Sequence, residues 1–310
     1  MSRTLELPAD PAGRDAPESS RGIASELERR RPGLRAGYGL VHALLLLALV
    51  VTGVGPLWWV AKAALSPSQQ ILRDPLALWP DGGPQWRNLL SALTDYGIGR
   101  SLLNTAVVAA GSTLCTLVVA STAAYVLSVL RPRWAPLLNA AILATLLVPG
   151  VVVLVPLYLS VLHVPVVGIS LLDSFWAVWL PAGANAFSVV VVKRFFDGLP
   201  AELFEAARLD GADTVRLFVS IVLPLSRPIL AVVGLLALMA SWKDFLWPLL
   251  VLQDPALQPV SVLLPKVATT TPLNVQMAQL LLALAVPVVL FLVFQRQVLR
   301  GVGLSGGVKG

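Results

Sequence analysis

The most chemically informative stretch of the chain is a polar segment, residues 199–225, that lies between long apolar runs. Pro200 suits the first turn of a helix, and Glu202 stands near the positive end of that helix's dipole. Gly211 is a natural stop for the helix, because glycine adopts the left-handed conformation at little cost. The segment therefore predicts a short polar helix that ends at a glycine turn.

A second helix is predicted to follow the turn. Asp213 or Thr214 can begin it, because short polar side chains accept hydrogen bonds from free backbone N–H groups at a helix start. The helix then runs to Pro224, at the edge of the next apolar run. The whole segment is thus a helix, a glycine turn and a second helix.

The first of these helices carries a face of small and polar side chains. Residues at the spacing i, i+3, i+4 and i+7 share it: Leu203, Ala206, Ala207 and Asp210. The two alanines would let the surface of another protein approach closely, and Glu205 can pair with Arg208 three positions later. From the residues alone, two interpretations stay open: a docking surface for another protein, or a solvated connector.

The sequence offers no constellation for catalysis or metal binding. It has one cysteine, Cys115, and two histidines, His42 and His163, so neither a disulfide framework nor a cysteine metal site is expected. The stretch 304–307 copies the letters Leu-Ser-Gly-Gly of the ABC ATPase signature, but no lysine follows a glycine anywhere in the chain. Without a phosphate-binding loop we expect no ATP hydrolysis, no enzyme activity and no bound cofactor.

Apolar runs surround the polar segment. Hydrophobic residues make up 56% of the 310 residues and charged residues 13%, which is about half the charged fraction usual in soluble domains. Six stretches are suited to crossing a bilayer: 38–61, 101–130, 135–162, 175–192, 229–252 and 277–294. We therefore predict an all-α polytopic membrane protein with six transmembrane helices in one domain, 37–310, in contact with membrane lipid.

Lysine and arginine are distributed unevenly between the two sides of the predicted bundle. The side that holds both termini has 17 of the 23, the other side has five, and Lys243 lies within the fifth span. The positive-inside rule then places both termini in the cytoplasm, and this bias explains the formal charge of +6 without nucleic acid. We expect a disordered cytoplasmic tail at 1–36, a cytoplasmic loop at 198–226 and a cytoplasmic tail at 295–310.

Several residues inside the spans suit either a solute path or ordinary packing. Prolines such as Pro149 and Pro181 leave backbone carbonyls free, which a wet cavity or a neighbouring helix can satisfy. Asn185 either lines a path or hydrogen-bonds between helices. Five tryptophans either stack on a sugar or anchor the chain at the membrane interface: Trp58, Trp59, Trp176, Trp179 and Trp247.

The polar segment also resembles a known motif. Glu205-Ala206-Ala207, Asp210-Gly211-Ala212, Leu223-Pro224 and Pro228 resemble the cytoplasmic loop signature of binding-protein-dependent ABC importer permeases. The sequence of this motif resembles that of the carbohydrate-uptake class of these permeases, the maltose and glycerol-phosphate type. Other stretches that resemble this family are Asn104-Thr105, Ala123-Ala124-Tyr125, Leu157-Tyr158, Phe195-Phe196, Trp242 with Asp244-Phe245, Gln295-Arg296 and 307–310. The resemblance covers about residues 38–310.

The resemblance implies a function and a set of partners. In such families the loop helix docks in a cleft of a separate ATPase, which binds the ATP. The implied coupling positions are Glu205, Ala206, Ala207, Asp210, Gly211 and Pro224, with Glu205 giving a polar contact and Gly211 the turn. The implied partners are ABC ATPase subunits, a second homologous permease and an extracellular or periplasmic solute-binding protein. The chain would be half of a carbohydrate or polyol importer in the bacterial plasma membrane.

Two departures from the family pattern bear on the path. The family commonly has asparagine after the tryptophan of the fifth span, where this chain has Lys243. The segment 162–168 also lacks the loop sequence that is usual in the family. Trp242, Lys243 and Asp244 join Asn185 as candidates for the translocation path. On a continuous helix Lys243 and Asp244 would point about 100° apart and would not pair.

Two alternatives stay open. One is a permease for another solute, such as a phosphodiester or an oligopeptide. The other is an ion-coupled secondary transporter, which would need several charges in the membrane or an inverted repeat. Only Lys243 and Asp244 qualify as such charges, and no repeat is evident in the sequence.

Overall fold

A computed structural model describes residues 32–165 and 167–303, with side chains described for 37–165 and 167–295. All regular structure in these ranges is helical. The chain divides into two compact units, Met1–Trp58 and Trp59–Gly310. Most of the predicted N-terminal tail and the last seven residues of the predicted C-terminal tail lie outside the described residues.

The first unit carries most of helix α1 (Pro32–Ala64). Within helix α1, the stretch 37–64 has a mean hydropathy of 2.3 and is long enough to cross a membrane. The predicted first span, 38–61, is therefore helical throughout. The helix begins at Pro32, so the last five residues of the predicted tail, 32–36, are helical.

The second unit contains the remaining helices. They are α2 (Ser68–Arg73), α3 (Arg87–Thr94), α4 (Ile98–Tyr125, continued by a π-helical turn at Val126–Leu130), α5 (Ala135–Thr145), α6 (Gly150–Leu162), α7 (Trp176–Gly183), α8 (Ala186–Asp197), α9 (Ala201–Leu209), α10 (Thr214–Leu225), α11 (Arg227–Trp242), α12 (Leu246–Val251), α13 (Val260–Val267) and α14 (Leu273–Gly303). The short helices α2 and α3 lie in the segment between the first two predicted spans.

Six candidate spans are present only if bent pairs of helices are counted as single spans. Three helical stretches pass the length and composition test alone: 37–64, 98–130 and 273–295. The other three are the pairs α5–α6, bent by 111°, α7–α8, bent by 44°, and α10–α11, bent by 78°. The described chain thus has three to six apolar spans, which makes it a multi-pass membrane protein.

Helix α4 is the central element of the second unit. It packs against α7, α8 and α11, and Gly111 allows the closest of these approaches. A Cβ atom on Gly111 would lie 2.1 Å from the Trp179 ring of α7, a distance that no packed pair of carbon atoms adopts. The Thr116 hydroxyl of α4 donates to the carbonyl of Ala182 at 2.9 Å, which satisfies a backbone group next to the break between α7 and α8.

The predicted fifth span is not one continuous helix. Helix α11 ends at Trp242, and Lys243, Asp244 and Phe245 are non-helical before α12 begins. The Asp244 carboxylate accepts hydrogen bonds from the backbone N–H groups of the next three residues, and such local bonding competes with helix continuation. The expectation that Lys243 and Asp244 project from one helix was therefore wrong.

Candidate functional site

The polar segment forms the predicted helix, glycine turn and second helix, and 198–226 is called the α9 loop below. Helix α9 follows Pro200 directly. Gly211 has a φ of +78°, the left-handed conformation that glycine adopts most easily. The Asp213 carboxylate accepts a hydrogen bond from the Arg216 backbone N–H at 2.7 Å and so caps α10. Pro224 lies one residue before the end of α10.

Helix α9 has an inner and an outer face. Ala207 is 8% exposed and packs in a core cluster with Leu217. Leu209 is 89% exposed, and Glu205, Ala206, Asp210 and Gly211 are also exposed. Leu203, Ala206 and Asp210 of the predicted docking face therefore point outward, whereas Ala207 points inward together with the half-buried Phe204, three residues before it. Ala207 therefore anchors the helix, and the neighbouring residues of α9 form its exposed outer face.

The interaction predicted between Glu205 and Arg208 is not formed. The salt bridges within the described residues involve Asp197 and its neighbours. Both Glu205 and Arg208 are exposed, and an exposed pair of this kind contributes little stability. The Glu205 carboxylate on the outer face is thus free to interact with another protein.

Tyr125 ties the α9 loop to α4. Its hydroxyl donates a hydrogen bond to the carbonyl oxygen of Thr214 at 2.9 Å, and its ring lies 4.9 Å from the ring of Phe218. Tyr125 directly precedes one π-helical turn, Val126–Leu130, and Phe218 is the first residue of another, Phe218–Val222. Such turns interrupt regular helices frequently at functional sites.

Asp197 ties α8 to the end of α4. Its carboxylate accepts hydrogen bonds from the Ser128 hydroxyl and from the Lys193 ammonium group, the latter at 2.7 Å. The guanidinium of Arg131 lies 4.0 Å away and donates to the Ser128 carbonyl at 2.6 Å. Asp197 stands four residues before α9 begins, so this cluster fixes the start of the α9 loop.

A cavity of about 650 Å³ lies among α4, α6, α7, α11 and α12, beside the break between α7 and α8 and the break that follows α11. It is lined by Ser112, Thr116, Leu157, Val178, Pro181, Ala182, Asn185, Ala237, Ala240, Ser241, Lys243, Asp244, Phe245, Leu246 and Trp247. The predicted path residues Asn185, Lys243 and Asp244 therefore share one cavity. Trp242 is not part of its wall, although it adjoins Lys243.

The polar groups of the cavity wall are positioned by helix breaks. The Asn185 side-chain oxygen accepts the Ser188 backbone N–H at 2.8 Å, so Asn185 caps α8 and does not bond to another helix through that oxygen. The carbonyl of Asp244 accepts a hydrogen bond from the Ser261 hydroxyl at 2.6 Å. The irregular backbone is thus satisfied internally where it borders the cavity, as a membrane-spanning chain requires.

Trp247 is a structural part of the cavity wall. It is 8% exposed, and its indole N–H donates to the carbonyl of Ala177 at 3.0 Å. A buried tryptophan held by this hydrogen bond fixes α12 against α7. It is therefore not the interfacial anchor that was one of the two interpretations of this residue.

Sequence reasoning missed Ser112, Thr116 and the groups that hold the loop. Ser112 and Thr116 stand four residues apart in an apolar helix, so they share a face, and a polar face on a membrane helix is a sign of contacts within the bundle. That pattern could have identified them. Nothing local could have linked Tyr125 to Thr214, which is 89 residues away.

The described residues contain no group of three His, Cys, Asp or Glu side chains that could hold a metal ion. The cavity has a largely apolar wall with a few polar and charged groups, among them Ser112, Lys243 and Asp244, and the α9 loop presents an exposed, well-anchored surface. This arrangement suits passage of a solute and contact with another protein.

Comparison with known proteins agrees with this geometry. Residues 96–303 match the family described as binding-protein-dependent transport system inner membrane component. The chain is 32% identical over 279 residues to the sn-glycerol-3-phosphate transport system permease protein UgpE of Yersinia pestis bv. Antiqua (strain Antiqua), covering 86% of this chain and 96% of the relative. It is 34% identical over 271 residues to the same-named protein of Escherichia coli O1:K1 / APEC, covering 84% and 94%.

A solved structure shows the same fold. A chain of a bacterial ABC transporter involved in the import of the acidic polysaccharide alginate superposes with a TM-score of 0.75 and 22% identity, covering 86% of this chain and 98% of that chain. The family and these relatives are transport permeases and not enzymes. The chain belongs to the family of inner membrane components of binding-protein-dependent transport systems.

Proposed function

We propose that this chain is one of two permease subunits of an ATP-driven importer in the bacterial plasma membrane. It has six spans, both termini and the α9 loop in the cytoplasm, and half of a translocation path. The observation that carries the proposal is the outer face of α9, where Glu205, Ala206, Leu209 and Asp210 are exposed on a helix whose inner face is packed. A rigid helix with an exposed apolar and acidic face is suited to docking in a cleft of an ATPase.

Movement of the docked ATPase would reach the cavity through the two connections of the α9 loop. Tyr125 joins α10 to α4, and the Asp197 cluster joins the end of α8 to the end of α4. Ser112 of α4 lines the cavity, and so does Asn185, the residue immediately before α8. Displacement of α9 therefore shifts the walls of the path without needing any contact between the ATPase and the solute.

The solute is proposed to be a carbohydrate or a related polyol. The relatives named above are permeases for sn-glycerol 3-phosphate, and the structural neighbour imports an acidic polysaccharide. A solute-binding protein on the outer side would deliver the solute. A homologous permease subunit would provide the other half of the path.

The first experiment is purification of the tagged chain in mild detergent, followed by mass spectrometry of the proteins that accompany it. We expect an ATPase and a second permease to co-purify. Glu205→Ala and Gly211→Val should each lower the amount of ATPase retained, because the first removes an exposed carboxylate and the second strains a left-handed backbone. Asp81→Ala removes an exposed carboxylate outside the α9 loop and should leave the ATPase bound.

The main rival is an ion-coupled secondary transporter. A chain that purifies without an ATPase, and that crosslinks to none in native membranes, would support that rival and overturn the proposal. Transport that persists after ATP depletion and stops when the ion gradient collapses would do the same. Retention of the ATPase at the parent level by both α9 loop variants would exclude the α9 loop as the coupling element.

A further inference from the structure

The positive and the negative group on the cavity wall are not equally available to a solute. Among the residues that the structure describes, Lys243 and Asp244 are the only ionisable ones that line the cavity. The Asp244 carboxylate is half-buried and accepts hydrogen bonds from the backbone N–H groups of the next three residues. The Lys243 side chain is exposed and makes no hydrogen bond or ion pair within the described residues. The negative group is therefore engaged by the backbone, whereas the positive group is free to meet a solute.

Two further groups on the wall favour a negatively charged solute. Helix α8 begins immediately after Asn185 and has 12 residues, so the positive end of its dipole borders the cavity. The Ser112 hydroxyl, on a residue only 1% exposed, has no hydrogen-bond partner among the described residues. A buried hydroxyl without a partner is costly, and its O–H can donate to an anionic oxygen.

Lys243 is held where its charge is tolerated. It follows the last residue of α11, a helix of 16 residues, and a cation at a helix C-terminus is electrostatically favourable. The side chain faces the cavity and not the apolar core. An ammonium group in such a place can meet a passing solute in the cavity.

We propose that Lys243 makes the cavity selective for solutes that carry a negatively charged group, a phosphate or a carboxylate. The inference rests on the proposed function, because it treats the cavity as part of the solute path. It assigns the Lys243 ammonium group as the counter-charge, with the α8 N-terminus and the Ser112 hydroxyl as supporting donors. Neutral solutes of the same size gain nothing from this arrangement.

The test measures the charge preference of the cavity without knowing the solute. The complete transporter complex is prepared with Cys115→Ser and with Ala240→Cys, an exposed position on the cavity wall. The cysteine is modified with an anionic reagent, sulfonatoethyl methanethiosulfonate, and with a cationic one, trimethylammonioethyl methanethiosulfonate. The ratio of the two rates is recorded in nanodiscs of phosphatidylcholine alone, so that no anionic lipid headgroup can reach Lys243.

We expect the ratio of anionic to cationic rates to fall about tenfold in Lys243→Gln. A unit charge about 6 Å from the reacting group changes each rate about threefold even at the dielectric constant of water, in opposite directions for the two reagents. Any effect on the cysteine thiol itself cancels in the ratio. Lys243→Arg should keep the parent ratio within about twofold, and so should Lys266→Gln, which removes a lysine outside the cavity wall.

An unchanged ratio in Lys243→Gln would overturn the inference, as would a cysteine at position 240 that neither reagent modifies. Repeating the measurement with anionic phosphatidylglycerol in the nanodiscs separates the two sources of an anion. A parent ratio that falls to the Lys243→Gln value only when this lipid is present would assign Lys243 to a lipid headgroup and overturn the proposal for solutes. Co-purification of the ATPase is measured on the same samples, so failure of the charge inference is distinguishable from failure of the proposed function.

Discussion

The α9 loop and the cavity are built in different ways. The loop is one contiguous segment whose helices start and stop at residues within it: Pro200, Gly211 and Asp213. The cavity takes its wall from α4, α6, α7, α11 and α12, so residues as far apart as Ser112 and Trp247 must be brought together by packing. A loop of this kind can move as a unit, whereas the cavity changes shape only when whole helices move.

The difference predicts two kinds of variant. A change on the outer face of α9 leaves the packed residues in place and should weaken contact with a partner protein. A change in the packing around the cavity acts on several helices at once and should lower the stability of the chain. Groups such as Tyr125, which join the two regions, should affect the loop and spare the charge preference of the cavity.

The largest effect is expected from Gly111→Ala. The added Cβ would overlap the Trp179 ring at 2.1 Å, and that ring is packed against Phe175 and Trp176, with ring centroids 5.9 and 5.0 Å apart. Overpacking of this kind costs about 1–3 kcal/mol, so α4 and α7 must separate. The measurement is the temperature at which half of the protein is lost from the monodisperse peak in size-exclusion chromatography after heating.

Gly150→Ala is the matched control for Gly111→Ala. No heavy atom beyond the glycine's own surroundings lies within 4 Å of a Cβ placed there, so this variant should keep the parent midpoint. Equal midpoints for Gly111→Ala and Gly150→Ala would show that Trp179 can move aside. The cavity would then depend less on close packing between helices than we propose.

A smaller effect is expected from Tyr125→Phe. The variant loses the hydrogen bond to the Thr214 carbonyl, worth about 1 kcal/mol, and keeps the ring that packs on Phe218. Local opening of the loop should become about fivefold more frequent, which speeds amide hydrogen exchange in 212–217. The charge preference of the cavity, measured at position 240, should not change.

Tyr158→Phe controls for removal of a tyrosine hydroxyl in general. The Tyr158 hydroxyl has no hydrogen-bond partner within 32–165 and 167–303, and its side chain packs beside the cluster around Val161. Exchange in 212–217 should stay at the parent rate in this variant. Equal exchange in the two variants would mean that Tyr125 does not hold the loop, and the connection between loop and cavity would rest on Asp197.

The sequence predicted the loop better than the cavity for a physical reason. A helix start at Pro200, a stop at Gly211 and a cap at Asp213 depend on residues one to three positions away, and all three are found as expected. Which face of α9 is buried could not be derived in this way. That depends on Leu217 and the α4 side chains that pack against Ala207, none of which the spacing within α9 specifies.

The break after α11 shows that hydropathy does not predict where a helix ends inside an apolar stretch. The stretch 229–252 is apolar enough to be taken for one span, and hydropathy does not register hydrogen bonds. The helix ends because the Asp244 carboxylate bonds to the N–H groups after it and because Ser261 supplies a donor to the Asp244 carbonyl. The charged pair in this apolar run was predicted to lie on a solute path, and both residues line the cavity, but the backbone geometry there depends on a residue 17 positions away.

The smallest effect is expected from Trp242→Phe, and it sharpens the distinction between the cavity wall and its surroundings. Trp242 is a neighbour of Lys243 in sequence but does not line the cavity, whereas Trp247 lines it and donates a hydrogen bond to Ala177. Trp242→Phe should therefore leave the charge preference at position 240 within about twofold of the parent. Trp247→Phe loses a buried hydrogen bond worth about 1 kcal/mol and should lower the thermal midpoint. If Trp242→Phe shifts the charge preference as strongly as Lys243→Gln, the path extends beyond the wall described here, and α11 contributes a tryptophan to it.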